Sequence, residues 1–255
     1  MEKRTYENLK YQHGYENHFE TEAVAGSLPV GRNSPQKCAH GLYAEQISGT
    51  SFTQPRRNNF KTWYYRIQPS VTHKPFKPCA GDKFKYIDNK FSDPNHFIVD
   101  PNQHRWRPLE LPGEKDSITW IEGLVTHIGI GCPLSKSGFA SYQYRCNKSM
   151  GHTAFYDSDG DLLIVPQVGT LHITTENGKL TVPPRQIAVI PRGIKFSVDV
   201  TEASRGYVAE VFDGHFVLPD LGPIGANGLA ANRDFEAPVA AFEEYKGEFT
   251  VGGMS

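Results

Sequence analysis

One stretch, Tyr156 to Phe212, limits what this chain can fold into more than any other part of the sequence. It consists of short apolar runs rich in Val, Ile, Thr and aromatic residues, and Gly, Pro or Asn separate them at nearly regular intervals. The runs are Leu162–Val165, Leu171–Thr175, Ile187–Ile190, Phe196–Val200 and Tyr207–Val211. Runs of this length and composition predict β-strands.

The residues between the runs predict tight corners. Asn177-Gly178 indicates a two-residue hairpin, because a type I′ turn needs positive φ at both central positions. Pro183-Pro184 cannot lie inside a central strand, and Pro191-Arg192-Gly193 marks a further corner. The 24 glycines and 18 prolines favour many short strands over long helices. Antiparallel strands at this spacing predict a mainly β, double-sheet sandwich or jelly roll.

The rest of the chain divides by composition. Residues 1–40 are polar and are expected to form an irregular arm that packs on the domain. Strands are predicted at Trp63–Ile67, Ser117–Gly123 and Phe139–Cys146. Between the first two of these, Lys77–Lys115 is a long polar loop that is expected to be the most mobile internal segment.

Charge and cysteine content exclude some partners. Lys and Arg number 27 against 28 Asp and Glu, for a net charge of −1. A protein that neutralises a phosphate backbone needs a basic surface, so nucleic acid is not an expected partner. No apolar run is long enough to span a bilayer, and the amino terminus does not read as a signal peptide. With four scattered cysteines, reduced thiols and a cytoplasmic location are expected.

Asp157, Asp159 and Asp161 open like a calcium-binding loop, with the pattern D-x-D-x-D. Such a loop needs Gly at its sixth position and Glu at its twelfth. Leu162 and Val168 stand there instead. The pattern therefore predicts a tight acidic turn that enters a strand.

His172, Thr174 and Glu176 share one strand face, because side chains alternate with a period of two. A non-haem iron site needs two His and one carboxylate, and no second His stands nearby. Leu171 and Ile173 take the other face, so His172 is expected on the solvated face rather than as a metal ligand.

Other candidate motifs do not assemble a site. Gly222, Gly225 and Gly228 lack the G-x-G pair and the βαβ context of a dinucleotide fingerprint and predict a shaped loop. The cysteines have no CxxC spacing. The histidines are dispersed, and their spacing predicts no cluster: His13, His18, His40, His73, His96, His104, His127, His152, His172 and His215. No catalytic, cofactor-binding or metal-binding residue is predicted from spacing.

Several long strings nevertheless resemble one family. They are YAEQISGTSFTQPR, WYYRIQPSVTHKPF, SDGDLLIVPQVGTL, PRGIKFSVDV and LPDLGPIGANGLA-ANRDF. Together they resemble the homogentisate 1,2-dioxygenases, from about Leu9 to about Phe242. The resemblance implies a cupin-like fold, with 41–245 as the β-sandwich domain and 246–255 as a divergent carboxy-terminal tail.

The resemblance also implies a function. The family uses Fe(II) and O2 to open the aromatic ring of homogentisate, giving maleylacetoacetate in tyrosine and phenylalanine breakdown. Its subunits form trimers and often hexamers. Its iron ligands lie in the second half of the chain, where a P-P-Y-Y-H-type string precedes a Glu six positions after the His. That string does not occur here, so no ligand is carried over and this chain is expected to be inactive alone and to bind no iron.

Two interpretations from different classes follow. In the first, the chain is the amino-terminal domain of a ring-cleaving dioxygenase. In the second, it is a non-catalytic cupin-like scaffold or binding subunit. The presence or absence of the P-P-Y-Y-H string in the coding sequence downstream of Ser255 distinguishes the two.

Overall fold

The computed structural model describes residues 4–14, 19–30, 37–46, 55, 63–79, 84–93, 95, 101–103, 105–222, 226–245 and 247–254. The chain divides into two compact units. The first comprises 1–16, 79–238 and 243–255, and the second comprises 17–78 and 239–242. This division differs from the expected 41–245 domain, because 41–78 belong to the second unit.

Strands dominate the described residues. In chain order they are β1 (Tyr11–His13), β2 (Tyr43–Gln46), β3 (Trp63–Arg66), β4 (Leu124–Cys132), β5 (Ser137–Cys146), β6 (Thr153–Asp157), β7 (Asp161–Val168), β8 (Leu171–Thr175), β9 (Gly178–Val182), β10 (Ala188–Ile190), β11 (Phe196–Asp199), β12 (Ser204–Val211), β13 (Glu236–Pro238) and β14 (Thr250–Met254). Short 3₁₀ turns lie at Ala39–Gly41, Ser70–Thr72, Ala226–Gly228 and Asn232–Asp234. No helix in this part of the chain is long and apolar enough to cross a membrane.

The first unit is built on two five-stranded sheets. Sheet I has the order β10-β7-β12-β5-β4 and is antiparallel throughout. Sheet II has the order β14-β6-β11-β8-β9, with β14 parallel to β6 and the other pairs antiparallel. β1 and β13 form a separate two-stranded sheet in this unit, and β2 pairs with β3 in the second unit. The predicted mainly β antiparallel architecture is confirmed.

Aromatic side chains fill the core of the first unit. Trp120 is fully buried, and its ring centre lies 6.0 Å from that of Tyr144, 6.3 Å from Phe155 and 5.5 Å from Phe196. Phe155 and Phe196 meet edge to face at 5.7 Å. Tyr144 belongs to sheet I, and the two phenylalanines belong to sheet II. Trp120 therefore packs against aromatic side chains of both sheets in one core.

Most predicted strands are present, and two local predictions are wrong. Ser117–Gly123 forms a turn, in which Thr119 accepts and donates hydrogen bonds with Glu122, and β4 begins only at Leu124. The hairpin turns on Glu176 and Asn177, because Thr175 pairs with Gly178. Gly178 has the expected positive φ, +129°, whereas Asn177 does not, so the turn is not type I′.

Segments near both ends of the described chain take part in β pairing. The arm contributes β1 to the first unit. Residues 246–255 were expected to be a divergent tail, but Thr250–Met254 form β14 and extend sheet II. In the Gly-rich loop, Leu221 and Leu229 form an isolated bridge and Ala226–Gly228 form a 3₁₀ turn, while Gly225 lies outside the described residues.

Candidate functional site

The acidic turn between β6 and β7 lies where it was predicted, but its three carboxylates are buried. Asp157, Asp159 and Asp161 are 2%, 6% and 2% exposed. Asp157 Oδ1 accepts a 2.8 Å hydrogen bond from the backbone N–H of Asp159, which closes the turn. Lys136 of the β4–β5 hairpin donates to the carbonyls of Ser158 and Asp159. The turn is thus fixed to the neighbouring hairpin.

The buried Asp161 carboxylate accepts hydrogen bonds from several protein donors. It accepts hydrogen bonds from the backbone N–H of Arg192 (3.0 Å), Arg192 Nε (3.3 Å), His215 Nδ1 (2.9 Å) and the backbone N–H of Phe216 (3.3 Å). Arg192 also donates to the carbonyls of Phe212 and Gly214. This network joins the β10–β11 corner to the segment after β12. The Asp161 carboxylate therefore serves as an acceptor within the fold.

Asp157 belongs to a second buried group, with Glu210 and Tyr142. Glu210 is 0% exposed and accepts a 2.5 Å hydrogen bond from the Tyr142 hydroxyl. Asp157 Oδ2 and Glu210 Oε1 are both buried in the core. Burial raises the pKa of Glu210 to about 9, and the negative charge of Asp157 contributes to this rise. Burial also raises the pKa of Asp157. The pair therefore holds a proton at neutral pH.

Sequence reasoning missed this group. Glu210 stands between Val208 and Phe212 at the inward positions of its strand, so the alternation itself placed a carboxylate in the core. Its partner Asp157 is distant in sequence, and the D-x-D-x-D pattern predicts only a turn there. No local sequence signal joins the two residues, because Glu210 lies on β12 of sheet I and Asp157 lies on β6 of sheet II.

His172 is not on a solvated face as expected. Tyr6 of the arm packs against it with the two rings tilted and their centres 4.7 Å apart, and His172 Nδ1 lies 3.3 Å from Thr181 Oγ1. Tyr6 also bonds to Thr174 (3.0 Å). Glu176 is elsewhere: it accepts from the backbone N–H of Lys195 at 3.0 Å and pairs with its ammonium group at 3.3 Å. These three residues therefore do not converge on one site.

Two further histidines have separate structural contacts. His127 packs on Trp106, and His152 Nδ1 lies 2.8 Å from the Tyr245 hydroxyl. His18, His96 and His104 lie outside the described residues. The four cysteines form no disulfide. Across the described ranges, no group of three or more His, Cys, Asp or Glu is placed to hold a metal ion. These residues do not fit an iron site, and we assign no metal-dependent step to them.

Comparison with known proteins decides the family. The family model described as homogentisate 1,2-dioxygenase N-terminal matches residues 10–252. The chain belongs to this family. The match extends past Phe242 and includes most of β14, so the chain's last strand is part of the family's domain.

Relatives named homogentisate 1,2-dioxygenase are similar over nearly the whole chain. The Caenorhabditis elegans protein is 54% identical over 96% of this chain and 56% of its own length. The Arabidopsis thaliana protein is 51% identical over 98% of this chain and 54% of its own length. The chain thus spans about half the length of these relatives, as the interpretation as an amino-terminal domain requires. The relatives' name marks the family as one of oxygenases.

Solved structures with a similar local fold are more distant. A cupin 2 conserved barrel domain protein from Leptotrichia buccalis is 17% identical, with a TM-score of 0.30, over 40% of this chain and 44% of its own. A cupin-2 domain containing protein from Shewanella frigidimarina is 18% identical, with a TM-score of 0.27, over 51% of this chain and 99% of its own.

Proposed function

We propose that this chain is the amino-terminal β domain of a homogentisate 1,2-dioxygenase. The complete enzyme opens the ring of homogentisate with O2 to give maleylacetoacetate. The observation that supports this most strongly is the identity of 51–54% with named relatives over 96–98% of the chain.

The role of this part is to support the enzyme's structure. Its buried acids are used internally: Asp161 binds Arg192 and His215, and Glu210 binds Tyr142. In the complete enzyme, Fe(II) would bind and orient homogentisate and O2 and stabilise developing charge. That metal would be held by the part of the relatives' sequence that this chain does not match.

The partners follow from the same proposal. Homogentisate and O2 are the substrates of the complete enzyme, and the subunits assemble as trimers or hexamers in the cytoplasm. Nucleic acid and membrane are not partners. For this chain, each of these statements depends on the family relationship and on the part of the relatives that it does not match.

A chimaera tests the proposal. The part of the Caenorhabditis elegans relative that follows the matched region is joined to the end of this chain. Oxygen uptake is measured with Fe(II) and homogentisate. We expect turnover from the chimaera and none from the 255-residue chain.

A folded chimaera that binds iron but does not consume oxygen would contradict the proposal. That result would favour the second interpretation, a non-catalytic scaffold or binding subunit. The unmodified relative serves as the positive control, because it supplies its own amino-terminal domain. Circular dichroism shows whether the chimaera is folded before its activity is compared.

A further inference from the structure

Two carboxyl groups from different sheets meet inside the core of the first unit. Glu210 lies on β12 of sheet I, and Asp157 lies at the end of β6 of sheet II. Both side chains are almost fully buried. A side-chain hydrogen bond joins them. The pair therefore forms a polar contact between the two sheets, in a core that consists mainly of apolar side chains.

This hydrogen bond requires a proton. The Tyr142 hydroxyl donates to Glu210 Oε2, and the backbone N–H of Asp159 donates to Asp157 Oδ1 at 2.8 Å. The two remaining oxygens, Glu210 Oε1 and Asp157 Oδ2, are also buried. Because an ionised carboxylate can only accept hydrogen bonds, two carboxyl groups bond to each other only when one of them is protonated.

The surroundings set where that proton is held. Burial raises the pKa of Glu210 to about 9, and the charge of Asp157 contributes to the rise. Burial also raises the pKa of Asp157, to about 6. Between these two values the pair holds one proton, and Glu210 is the donor. Burial and the charge of Glu210 raise the pKa of Tyr142, so its hydroxyl keeps its own proton.

Neighbouring charges would oppose a second negative charge on the pair. Asp159 lies in the same turn, and its charge also raises the pKa of Glu210. Basic side chains close to the turn are each paired with another carboxylate: Lys136 with Asp159, and Arg192 and His215 with Asp161. Among the described residues, no salt bridge reaches either member of the pair.

The acidic turn packs directly on Glu210. A Cβ placed on Gly160 would lie only 2.6 Å from Glu210 Cγ, so the backbone of the turn touches this side chain. The Asp157 carbonyl accepts a 2.6 Å hydrogen bond from the backbone N–H of Gly193, in the β10–β11 corner. The position of the turn, and its bond to this corner, therefore depend on the contact with Glu210.

We propose that Glu210 and Asp157 form a proton-dependent latch between the two sheets, which holds the turn at 157–161 closed while they share one proton and releases it when that proton is lost. In the closed form the pair carries one negative charge. Transfer of the proton to solvent base leaves two adjacent carboxylates in a buried site, where they repel each other. Opening of the turn admits water to both. The latch belongs to the fold of this domain and does not depend on the reaction of the complete enzyme.

The sign of the pH dependence follows from the raised pKa of Glu210. A group with a raised pKa in the folded state contributes stability below its unfolded pKa and loses it as pH rises through the folded value. The turn should therefore be closed at neutral pH and should open as pH rises through about 9.

Carbon-13 NMR of the unmodified 255-residue chain tests for the proton. Glutamate is labelled at its carboxyl carbon, and each signal is followed from about pH 4 to about pH 10. We expect one glutamate signal to titrate at about pH 9, well apart from the others, and to be missing in Glu210→Gln. Titration of all the glutamates together near their ordinary pKa would overturn the latch.

Amide hydrogen exchange tests whether the turn opens. The backbone N–H groups of Asp159 and Gly193 both donate to Asp157 in the closed form. After correction for the intrinsic pH dependence of exchange, we expect their protection to fall at least about tenfold between about pH 7 and pH 10, while amides of β8 and β9 keep theirs. Unchanged protection of Asp159 and Gly193 overturns the inference, and so does an equal loss in β8 and β9, which would indicate unfolding of the whole domain.

Glu210→Gln separates the proton from the packing. The glutamine N–H can donate to Asp157 while its carbonyl accepts from Tyr142, so this variant holds the latch closed without a titratable group. Protection of Asp159 and Gly193 should then stay constant over the same pH range. Glu202→Gln, at an exposed position, should behave like the wild type. The same loss of protection in Glu210→Gln as in the wild type overturns the latch, because opening would then not depend on the Glu210 proton.

Discussion

The Tyr142 hydroxyl donates a 2.5 Å hydrogen bond to Glu210 inside the sandwich, where neither side chain is more than 1% exposed. Asp157 lies close enough that its charge raises the pKa of Glu210. A carboxyl group in this setting stays protonated at neutral pH, because burial disfavours its charged form.

The first prediction concerns the pH dependence of stability. Glu210 has a raised pKa when folded, about 9, so its contribution is fully present below the unfolded pKa and is lost as pH rises through 9. Between about pH 5 and pH 9, the melting temperature should therefore fall more steeply for the wild type than for Glu210→Gln. At pH 8.5, we expect Glu210→Gln to unfold roughly 2–4 °C or more above the wild type.

The exposed Glu202 provides the matched control for that experiment. Glu202→Gln should leave the pH profile of the wild type unchanged. Parallel profiles for wild type and Glu210→Gln, measured by scanning calorimetry, would show that the buried carboxyl is not protonated in the folded state.

The second prediction concerns Asp161. Asp161→Ala leaves the Arg192 guanidinium, His215 and two backbone N–H groups without their acceptor. Removing one partner of a buried ion pair costs about 3–5 kcal/mol of unfolding free energy. Asp213→Ala, at an exposed carboxylate nearby, should change it by no more than about 0.5 kcal/mol. Unfolding is followed by urea titration. Equal urea midpoints for Asp161→Ala and Asp213→Ala would contradict the role given to Asp161.

The third prediction concerns the arm. Tyr6→Phe keeps the ring that packs against His172 but loses the hydroxyl that forms hydrogen bonds with Asp199 and Thr174. Hydrogen bonds to charged groups contribute about 1.5–3 kcal/mol to stability. The unfolding free energy of the variant should therefore fall by about that amount. Hydrogen exchange should also become faster in residues 4–14. Tyr43→Phe, at a 52% exposed tyrosine, is the control and should have no such effect.

The fourth prediction concerns the β8–β9 hairpin. Gly178 has a φ of +129°, a conformation that a β-branched residue avoids. Gly178→Val should therefore destabilise the protein by roughly 1–3 kcal/mol. Gly113→Val is the matched control, because a Cβ there meets only Asp116 at an ordinary 3.7 Å. Equal melting temperatures for the two variants would remove the strain argument.

Local sequence was sufficient where a strand is short and its alternation regular. Leu171–Thr175 was predicted to the residue as β8, since Leu171 and Ile173 mark its inward face. β4 was missed because Gly129 and Gly131 interrupt its apolar run. Gly131 faces Gly138, and a Cβ at position 131 would lie 2.1 Å from the Ser137 carbonyl oxygen. Those glycines are required by the close strand pairing, which only the fold reveals.

Long-range pairing explains the remaining differences. Nothing in the local sequence joins Glu210 to Tyr142, or Tyr6 to His172, because each pair is distant in sequence and meets only through the sheet order. The sequence predicts a strand at Ser117–Gly123 because Trp120 and Ile121 are apolar, and both are buried in the core. The turn between Thr119 and Glu122 brings them inward without β pairing.

Iron binding tests the central claim most directly, namely that the chemistry of the family lies outside this chain. The 255-residue chain and the chimaera are dialysed anaerobically against micromolar Fe(II), and bound iron is measured per chain. A facial iron site needs about three protein ligands on one scaffold, and metal affinity falls sharply when ligands are missing. We predict about one iron per chain for the chimaera and far less for the short chain. Stoichiometric, tight iron binding by the 255-residue chain alone, with oxygen uptake on adding homogentisate, would contradict the account.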